Sequence, residues 1–217
     1  MKIKELLLYT NNLENQVDFY TRILDLSIVE RSSSRVSFKV GESRLTFMLS
    51  DKFTPYHMAF NIPSNREMEA LNWLRRKVEI IAFEGKDLID FNNWNAKSMY
   101  FYDADRNIIE FISRKDLNLL SSGEFSSNSI LSISEIGIGT KEIKKVYTAI
   151  DVIRPIDIFD GNLDKFCALG NHEGLFIIAN MKDKTWFPSN DKIYPSEFQI
   201  KGDYNFDFIN GKIIEIV

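Results

Sequence analysis

Apolar and polar positions change their period along the first 50 residues, and the change predicts a strand, a helix and three further strands. Residues 3–10 form an apolar strand-like segment that ends at two asparagines, Asn11 and Asn12. Residues 13–24 place their apolar side chains at helical spacing. Three short strand-like segments follow, separated by polar turns, at residues 26–31, 35–40 and 44–49.

The same order recurs in the next stretch of chain. Residues 56–62 predict a buried strand, and residues 66–77 predict an amphipathic helix. Three more strands are predicted at residues 78–85, 97–105 and 107–114. Repetition of a whole unit is stronger evidence than any single segment, so the sequence predicts tandem βαβββ modules and the α+β class.

The repeat also predicts the domain organisation. Modules 1–50 and 54–115 are expected to form one domain, 1–115. Residues 116–129 are rich in Ser and Asn without a clear period, which is typical of a linker. A third unit begins at Ile130, and the last part of the chain predicts strands without a helix. We therefore expect a partial, degenerate copy of the fold over 130–217.

Composition limits the classes of partner and compartment. Hydrophobic residues make up 44% of the 217 residues and aromatic residues 13%, as expected for a folded chain. A net charge of −4 gives no electrostatic footprint for nucleic acid or an anionic membrane. The N-terminal apolar run is too short for a signal sequence or a membrane span, and Cys167 is the single cysteine. These features predict a cytoplasmic protein.

Several common catalytic signatures are absent from the sequence. It contains no glycine-rich nucleotide-binding motif, no GxSxG nucleophile motif and no CxxC pair. Cys167 lies in the apolar segment FCAL, which is typical of a buried, unreactive thiol. His172 lies in a predicted turn, where a solvated or turn-capping role is the default.

Three stretches carry a family resemblance: NNLENQVDFYTRILDL (11–26), YHMAFNIP (56–63) and SMYFYDADRNIIEFIS (98–113). They resemble the vicinal oxygen chelate superfamily, which includes glyoxalase I, the fosfomycin- and bleomycin-resistance proteins and the extradiol dioxygenases. Asp25 and Ala104 replace a usual Gly and a usual Pro, respectively. The resemblance is good over 3–114 and partial beyond residue 130.

The resemblance implies a glyoxalase-like fold, in which pairs of modules form curved half-barrel sheets around a metal cleft. Family ligand positions fall on Glu5, His57 and Glu110, and Phe47 occupies a fourth position that lacks a ligand. Such a mixed nitrogen and oxygen donor set suits divalent Mn, Fe, Co, Ni or Zn better than Ca.

The residues themselves allow a structural alternative to this metal site. His57 shares its strand face with Ala59 and Asn61, so that face is small and partly polar, as a cleft wall would be. Glu110 lies among four apolar neighbours, and a buried carboxylate needs a cation, which is either Arg, Lys or a metal. An arginine facing Glu110 would make His57 an ordinary core residue.

The third unit repeats part of this pattern. Glu135 matches Glu5, and Glu215 matches Glu110, but no histidine of the third unit matches His57. A structural or cleft-completing role is therefore expected for the C-terminal half.

The leading functional hypothesis is metal-assisted lyase, isomerase or transferase chemistry on a small oxygen-chelating molecule. Glu110 and Tyr9 are the expected catalytic residues, and Tyr100 and Tyr102 are further candidates to line the cleft. The alternatives are a metal-free binding protein of the bleomycin-resistance type and a structural homologue with an inactive site. Extradiol oxygenation is disfavoured because those relatives use more histidines than this chain contains. The family pairs its modules within one chain or between two, so a homodimer is also an expected arrangement.

Overall fold

The computed structural model of the protein describes residues 1–216 and confirms a sheet-dominated α+β fold built from βαβββ units. The helices are α1 (Leu13–Asp18, continued by a π-helical turn at Phe19–Ile23), α2 (Glu67–Arg75) and α3 (Ile143–Ile153). The strands are β1 (Ile3–Thr10), β2 (Ile28–Arg31), β3 (Arg35–Val40), β4 (Ser43–Leu49), β5 (His57–Ile62), β6 (Ile89–Phe91), β7 (Ala96–Tyr102), β8 (Ile108–Arg114), β9 (Ser132–Thr140), β10 (Ile158–Gly161), β11 (Phe166–Asn171), β12 (Gly174–Asn180), β13 (Thr185–Trp186), β14 (Asp191–Lys192), β15 (Phe198–Gly202), β16 (Phe206–Ile209) and β17 (Lys212–Glu215).

In each of the first three units, the first strand pairs in parallel with the last strand. The pairs are β1 with β4, β5 with β8, and β9 with β12. The intervening helix covers the sheet face that carries the main apolar core, as α2 does where Trp73 packs on Phe111 at 6.4 Å between ring centroids. The C-terminal strands β15, β16 and β17 form an antiparallel ladder without a helix, as the sequence predicts.

The units associate out of sequence order. Strand β5 pairs antiparallel with β9, so the second unit adjoins the third, while β1 pairs antiparallel with β15 and, at Ile3, with β9. One sheet therefore runs through both halves of the chain, across the expected division between 1–115 and 130–217. The expected linker, 116–129, has no regular structure beyond 3-10 turns at Lys115–Leu117 and Ser127–Ser129.

Two of the sequence-based strand assignments differ from the structure. Residues 78–85 form isolated bridges alone, from Ile80 to Phe101 and from Phe83 to Lys86, because the positive φ angles of Glu84 and Gly85 turn the chain. The strand that pairs with β7 is instead the short β6. Strand β10, which pairs with β11, and the short strands β13 and β14, which pair with each other, were not predicted.

The second and third units together enclose a concave sheet face opposite the main core. A separate apolar cluster lines this face and includes Tyr100, Ile177 and Trp186. None of the helices within residues 1–216 has the length and apolar character needed to cross a bilayer.

Candidate metal centre

The register of four neighbouring strands brings two carboxylates to one side of the sheet. Glu135 on β9, Ala59 on β5, Glu110 on β8 and Tyr100 on β7 lie opposite one another in one continuous row. Residues paired across strands share a sheet face, so all four side chains project into the concave side. The small side chain of Ala59 leaves room between the two glutamates.

His57 completes a three-residue group with these glutamates. Its Nε2 lies 3.6 Å from Glu110 Oε2 and 3.7 Å from Glu135 Oε2, and one donor atom of each residue lies within 4.8 Å of the others. These separations exceed hydrogen-bond length, so the three side chains surround a space instead of bonding directly to one another. Two ligands about 2.1 Å from one cation stand roughly 3–4 Å apart, so the group fits a divalent ion.

Burial makes the charges of this group interdependent. All three side chains are at most 6% exposed. Burial, followed by the negative charge of Glu135, raises the pKa of Glu110 to about 7. Burial alone would lower the pKa of His57, but Glu135 and Glu110 together outweigh it and raise that pKa. The protonation of Glu110 and that of His57 therefore depend on each other.

Arg114 supplies one positive charge to the site. Its Nη2 donates a hydrogen bond to Glu135 Oε1, and its side chain is fully buried. Its Nε and Nη1 have no hydrogen-bond partner among the described residues, and its guanidinium lies 5.5 Å from the centre of the Trp94 ring. The arginine therefore meets Glu135 and not Glu110, and it leaves Glu135 Oε2 directed towards His57.

Two residues expected at the site lie elsewhere. Glu5 is exposed on β1, opposite Arg44 of β4 and Lys201 of β15, and it is not part of the group around His57. Tyr9 follows it on the same strand face, and its pKa is raised by burial and then by Asp207 and Glu197. Both residues are separated from His57 because the first unit pairs with the C-terminal strands.

Glu135 takes the place that the sequence assigns to Glu5. Its equivalence to Glu5 is visible in the repeat, but the choice between the two glutamates depends on which units pair. The sequence places Phe47 at the fourth ligand position, but Phe47 is buried in the main core against Tyr20. Ile177 pairs with Gly137 as Glu110 pairs with Ala59, so Ile177 occupies the equivalent place in the third unit.

A cavity of about 570 Å³ opens above the three residues. Trp186 covers part of its floor, with its ring centroid 5.2 Å from that of His57. Tyr100 lines the wall and lies 6.4 Å from His57, whereas the Tyr102 hydroxyl donates a hydrogen bond of 2.6 Å to Asp191. Of the three tyrosines considered from the sequence, Tyr100 therefore lies nearest the proposed chemistry.

Comparisons with known proteins agree with this architecture. No curated protein sequence matches the chain. A proposed dioxygenase from Bacillus subtilis is 14% identical with a TM-score of 0.62; the match covers 82% of this chain and 63% of that one. This chain thus spans less than two thirds of that structure's length. The likeness supports the fold alone.

Shorter solved structures overlap parts of the chain. Lactoylglutathione lyase from Agrobacterium tumefaciens is 20% identical with a TM-score of 0.42, covering 50% of this chain and 90% of its own. Fosfomycin resistance protein FosX from Listeria monocytogenes is 21% identical with a TM-score of 0.42, covering 52% and 92%, respectively. The family model for the glyoxalase/bleomycin resistance protein/dioxygenase superfamily matches residues 2–111. The chain belongs to this superfamily and has its glyoxalase-like fold.

Proposed function

We propose that the protein is a divalent-metal-dependent enzyme of the glyoxalase type, with lyase, isomerase or transferase chemistry on a small oxygen-chelating molecule. The observation that carries this proposal is the convergence of His57, Glu110 and Glu135 at the floor of a cavity. Perturbed, buried ionisable groups in a concave site are typical of functional sites.

The donor set favours a borderline transition metal. One imidazole nitrogen and two carboxylates would balance the charge of a divalent cation, and such mixed ligands suit Mn, Fe, Co, Ni or Zn. A cation held there would supply Lewis-acid polarisation of the bound molecule's oxygens. Three protein ligands leave coordination positions open towards the cavity, which is the requirement of a catalytic site.

The surrounding side chains have distinct roles in this proposal. Glu110 would hold the cation together with His57 and Glu135, and with a pKa of about 7 it could exchange a proton with the bound molecule. Tyr100 stands opposite it across β7 and β8, and burial followed by the two glutamates raises its pKa well above the usual value, so it stays a neutral hydrogen-bond donor. Trp186 packs against His57 and limits the access of water to the site.

A second function is favoured by the Arg114–Glu135 contact. The arginine already compensates one of the two carboxylates, so the site is less dependent on a metal for its charge balance. A metal-free protein that binds its ligand in the same cavity, as expected for a bleomycin-resistance-like binder, would use this arrangement. A structural homologue with an inactive site would bind neither metal nor ligand.

Elemental analysis of the purified protein, combined with calorimetric metal titration, separates these functions. We expect one equivalent of a transition metal and a loss of affinity of tenfold or more in His57→Ala, Glu110→Gln and Glu135→Gln. Glu5→Gln is the matched control, because it makes the same change on an exposed residue outside the group. Light scattering on the same samples tests the expected homodimer.

Each outcome distinguishes among the hypotheses. Absence of metal at every loading would exclude the enzyme proposal and favour the metal-free binder. Undiminished affinity in the three site variants would exclude this ligand assignment. A loss of affinity in Glu5→Gln would return that residue to the site.

A further inference from the structure

Aromatic side chains dominate the wall of the cavity above the metal centre. The cavity of about 570 Å³ is lined by six aromatic residues: Phe91, Trp94, Tyr100, Phe166, Trp186 and Phe187. A cavity of this size accommodates a small organic ligand.

The rings form a continuous path from the mouth to the floor. Phe187 is 38% exposed at the mouth, and its ring centroid lies 5.7 Å from Phe91 and 5.8 Å from Tyr100. Both contacts are edge-to-face, with interplanar angles of 78° and 84°. Tyr100 continues the path to His57 at 6.4 Å between ring centroids, and Trp186 lies 5.2 Å from His57. A flat molecule entering this cavity would meet ring faces and edges along its whole length.

Polar and charged side chains also line the cavity; they are Asp90, Asn92, Asn93, Asp160, Lys184 and Thr185. Asp160 accepts a hydrogen bond of 2.6 Å from the Trp94 indole, and Asp90 lies 3.5 Å from Lys97. Ile112, Ile177 and Ala179 add apolar side chains to the lining. Among the described lining residues, His57, Glu110 and Glu135 are the ionisable groups whose donor atoms lie within 4.8 Å of one another.

We propose that the substrate is an aromatic molecule whose ring packs among Phe91, Phe187 and Trp186 and whose oxygen-bearing head points to His57, Glu110 and Glu135. The position of the oxygen-bearing head depends on the proposed function. The aromatic character of the rest of the substrate is inferred from the residues of the cavity wall alone. Ring pairs at these separations are stabilised beyond the apolar area that they bury.

Two hydroxamic acids with the same chelating head test the aromatic body. Benzohydroxamic acid carries a phenyl ring where acetohydroxamic acid carries a methyl group. Calorimetric titration of Zn²⁺-loaded protein gives the ratio of the affinity for benzohydroxamic acid to the affinity for acetohydroxamic acid. This ratio is corrected by dividing it by the same ratio measured with free Zn²⁺. We expect a corrected ratio of at least tenfold. A corrected ratio below twofold would overturn the proposal.

Two conservative variants locate the preference in the cavity wall. Phe187→Leu and Phe91→Leu keep an apolar side chain and remove the ring, so each is expected to lower the ratio threefold or more. Phe53→Leu is the control, because Phe53 packs near Tyr56 outside the cavity. An unchanged ratio in both cavity variants would also overturn the assignment.

A pair of probes without a chelating head separates this proposal from the metal hypothesis. Benzamide and acetamide are titrated into protein stripped of metal. Preferential binding of benzamide supports the aromatic pocket even if no metal ever binds. If benzamide binds no better than acetamide, the aromatic assignment fails whether or not metal is bound.

Discussion

Arg114 donates a hydrogen bond to Glu135 where neither side chain is accessible to solvent. Within a low-dielectric environment, such a pair fixes the orientation of the carboxylate, and only one of its oxygens remains available. Because Glu135 Oε1 is the oxygen bound to Arg114, a metal would take Oε2, the oxygen that faces His57.

Replacing Arg114 by methionine is therefore expected to make stability depend on metal. Removal of one partner of a buried ion pair typically costs about 3–5 kcal/mol, because the other charge is left uncompensated. In Arg114→Met the countercharge for Glu135 is left to His57 or to a divalent cation. The metal-free variant should be destabilised, and metal should raise its unfolding midpoint more than that of the wild type.

Denaturant unfolding with and without metal measures both effects. Arg75→Met is the control, because its pair with Asp87 is partly exposed and its loss should cost about 1 kcal/mol or less. Equal metal-dependent stabilisation of Arg114→Met and wild type would contradict a shared role of the cation and the arginine at Glu135.

The small side chain of Ala59 gives a second prediction. Ala59 is fully buried between Glu110 and Glu135 in the strand register. Ala59→Leu would place a branched side chain in the space that the cation needs. We expect metal binding to be lost while the protein folds, at an overpacking cost of about 1–3 kcal/mol.

Calorimetric metal titration with circular dichroism checks this outcome. Met58→Leu provides the comparison, because Met58 is the preceding residue on the same strand and faces the main core. It should retain the metal. Undiminished metal affinity in a folded Ala59→Leu protein would place the binding site elsewhere.

Much of the fold could be predicted from the sequence because the repeat consists of local patterns of apolar, polar and turn residues. The strand–helix order of residues 3–114 follows from period and turn residues, and His57 and Glu110 stand out as polar groups on apolar strands. Strand β6 was mislocated because residues 78–85 are apolar enough for a strand but end in a turn with positive φ.

Pairing of the units could not be derived from the same patterns. Whether β5 adjoins β1 or β9 depends on long-range contacts, which no local period encodes. This choice replaced Glu5 by Glu135 and Tyr9 by Tyr100 at the candidate site. Arg114 was missed for the same reason, because its partner lies on a strand of the third unit.

Gly137 gives a third prediction through its contact with Trp186. A Cβ atom on Gly137 would lie 2.7 Å from the Trp186 ring and 3.2 Å from the His57 Cβ. Gly137→Ala should therefore displace the indole from His57 and weaken metal binding several-fold. A changed tryptophan emission spectrum would report the displacement.

A double variant identifies the cause of that loss. Trp186→Ala in the Gly137→Ala background removes the ring that the new methyl group meets, so metal affinity should recover relative to Gly137→Ala alone. If the double variant binds metal no better than Gly137→Ala, the effect arises from strand β9 or His57 and not from the indole.

Asp103 is a third buried carboxylate and lies outside the group of candidate ligands. It accepts hydrogen bonds from the side chains of Gln16, Tyr20 and Asn107, and from the backbone N–H groups of Asp105 and Asn107. Burial nevertheless raises its pKa to about 6, from an ordinary value of 3.8. Its titration should therefore appear in the stability of the folded protein.

The sign of this effect follows from the raised pKa in the folded state. The protonated carboxyl is favoured in the folded state, so its stabilising contribution is fully present below pH 4 and is lost as the pH rises through about 6. A difference of about two pKa units corresponds to roughly 3 kcal/mol. The free energy of unfolding of wild type, measured relative to Asp103→Asn, should decrease by up to about this amount between pH 4 and pH 7.

Denaturant unfolding of both proteins at half-unit pH intervals measures this difference. Comparison with Asp103→Asn cancels the titration of the remaining groups, including Glu110, because both proteins retain them. Asp90→Asn serves as the control, since its carboxylate is 53% exposed and lies 3.5 Å from Lys97. If the free energies of unfolding of wild type and Asp103→Asn change in parallel with pH over this range, the five hydrogen bonds to Asp103 offset the effect of burial on its pKa. A difference that grows with pH would show that they outweigh the burial and hold the pKa below its ordinary value.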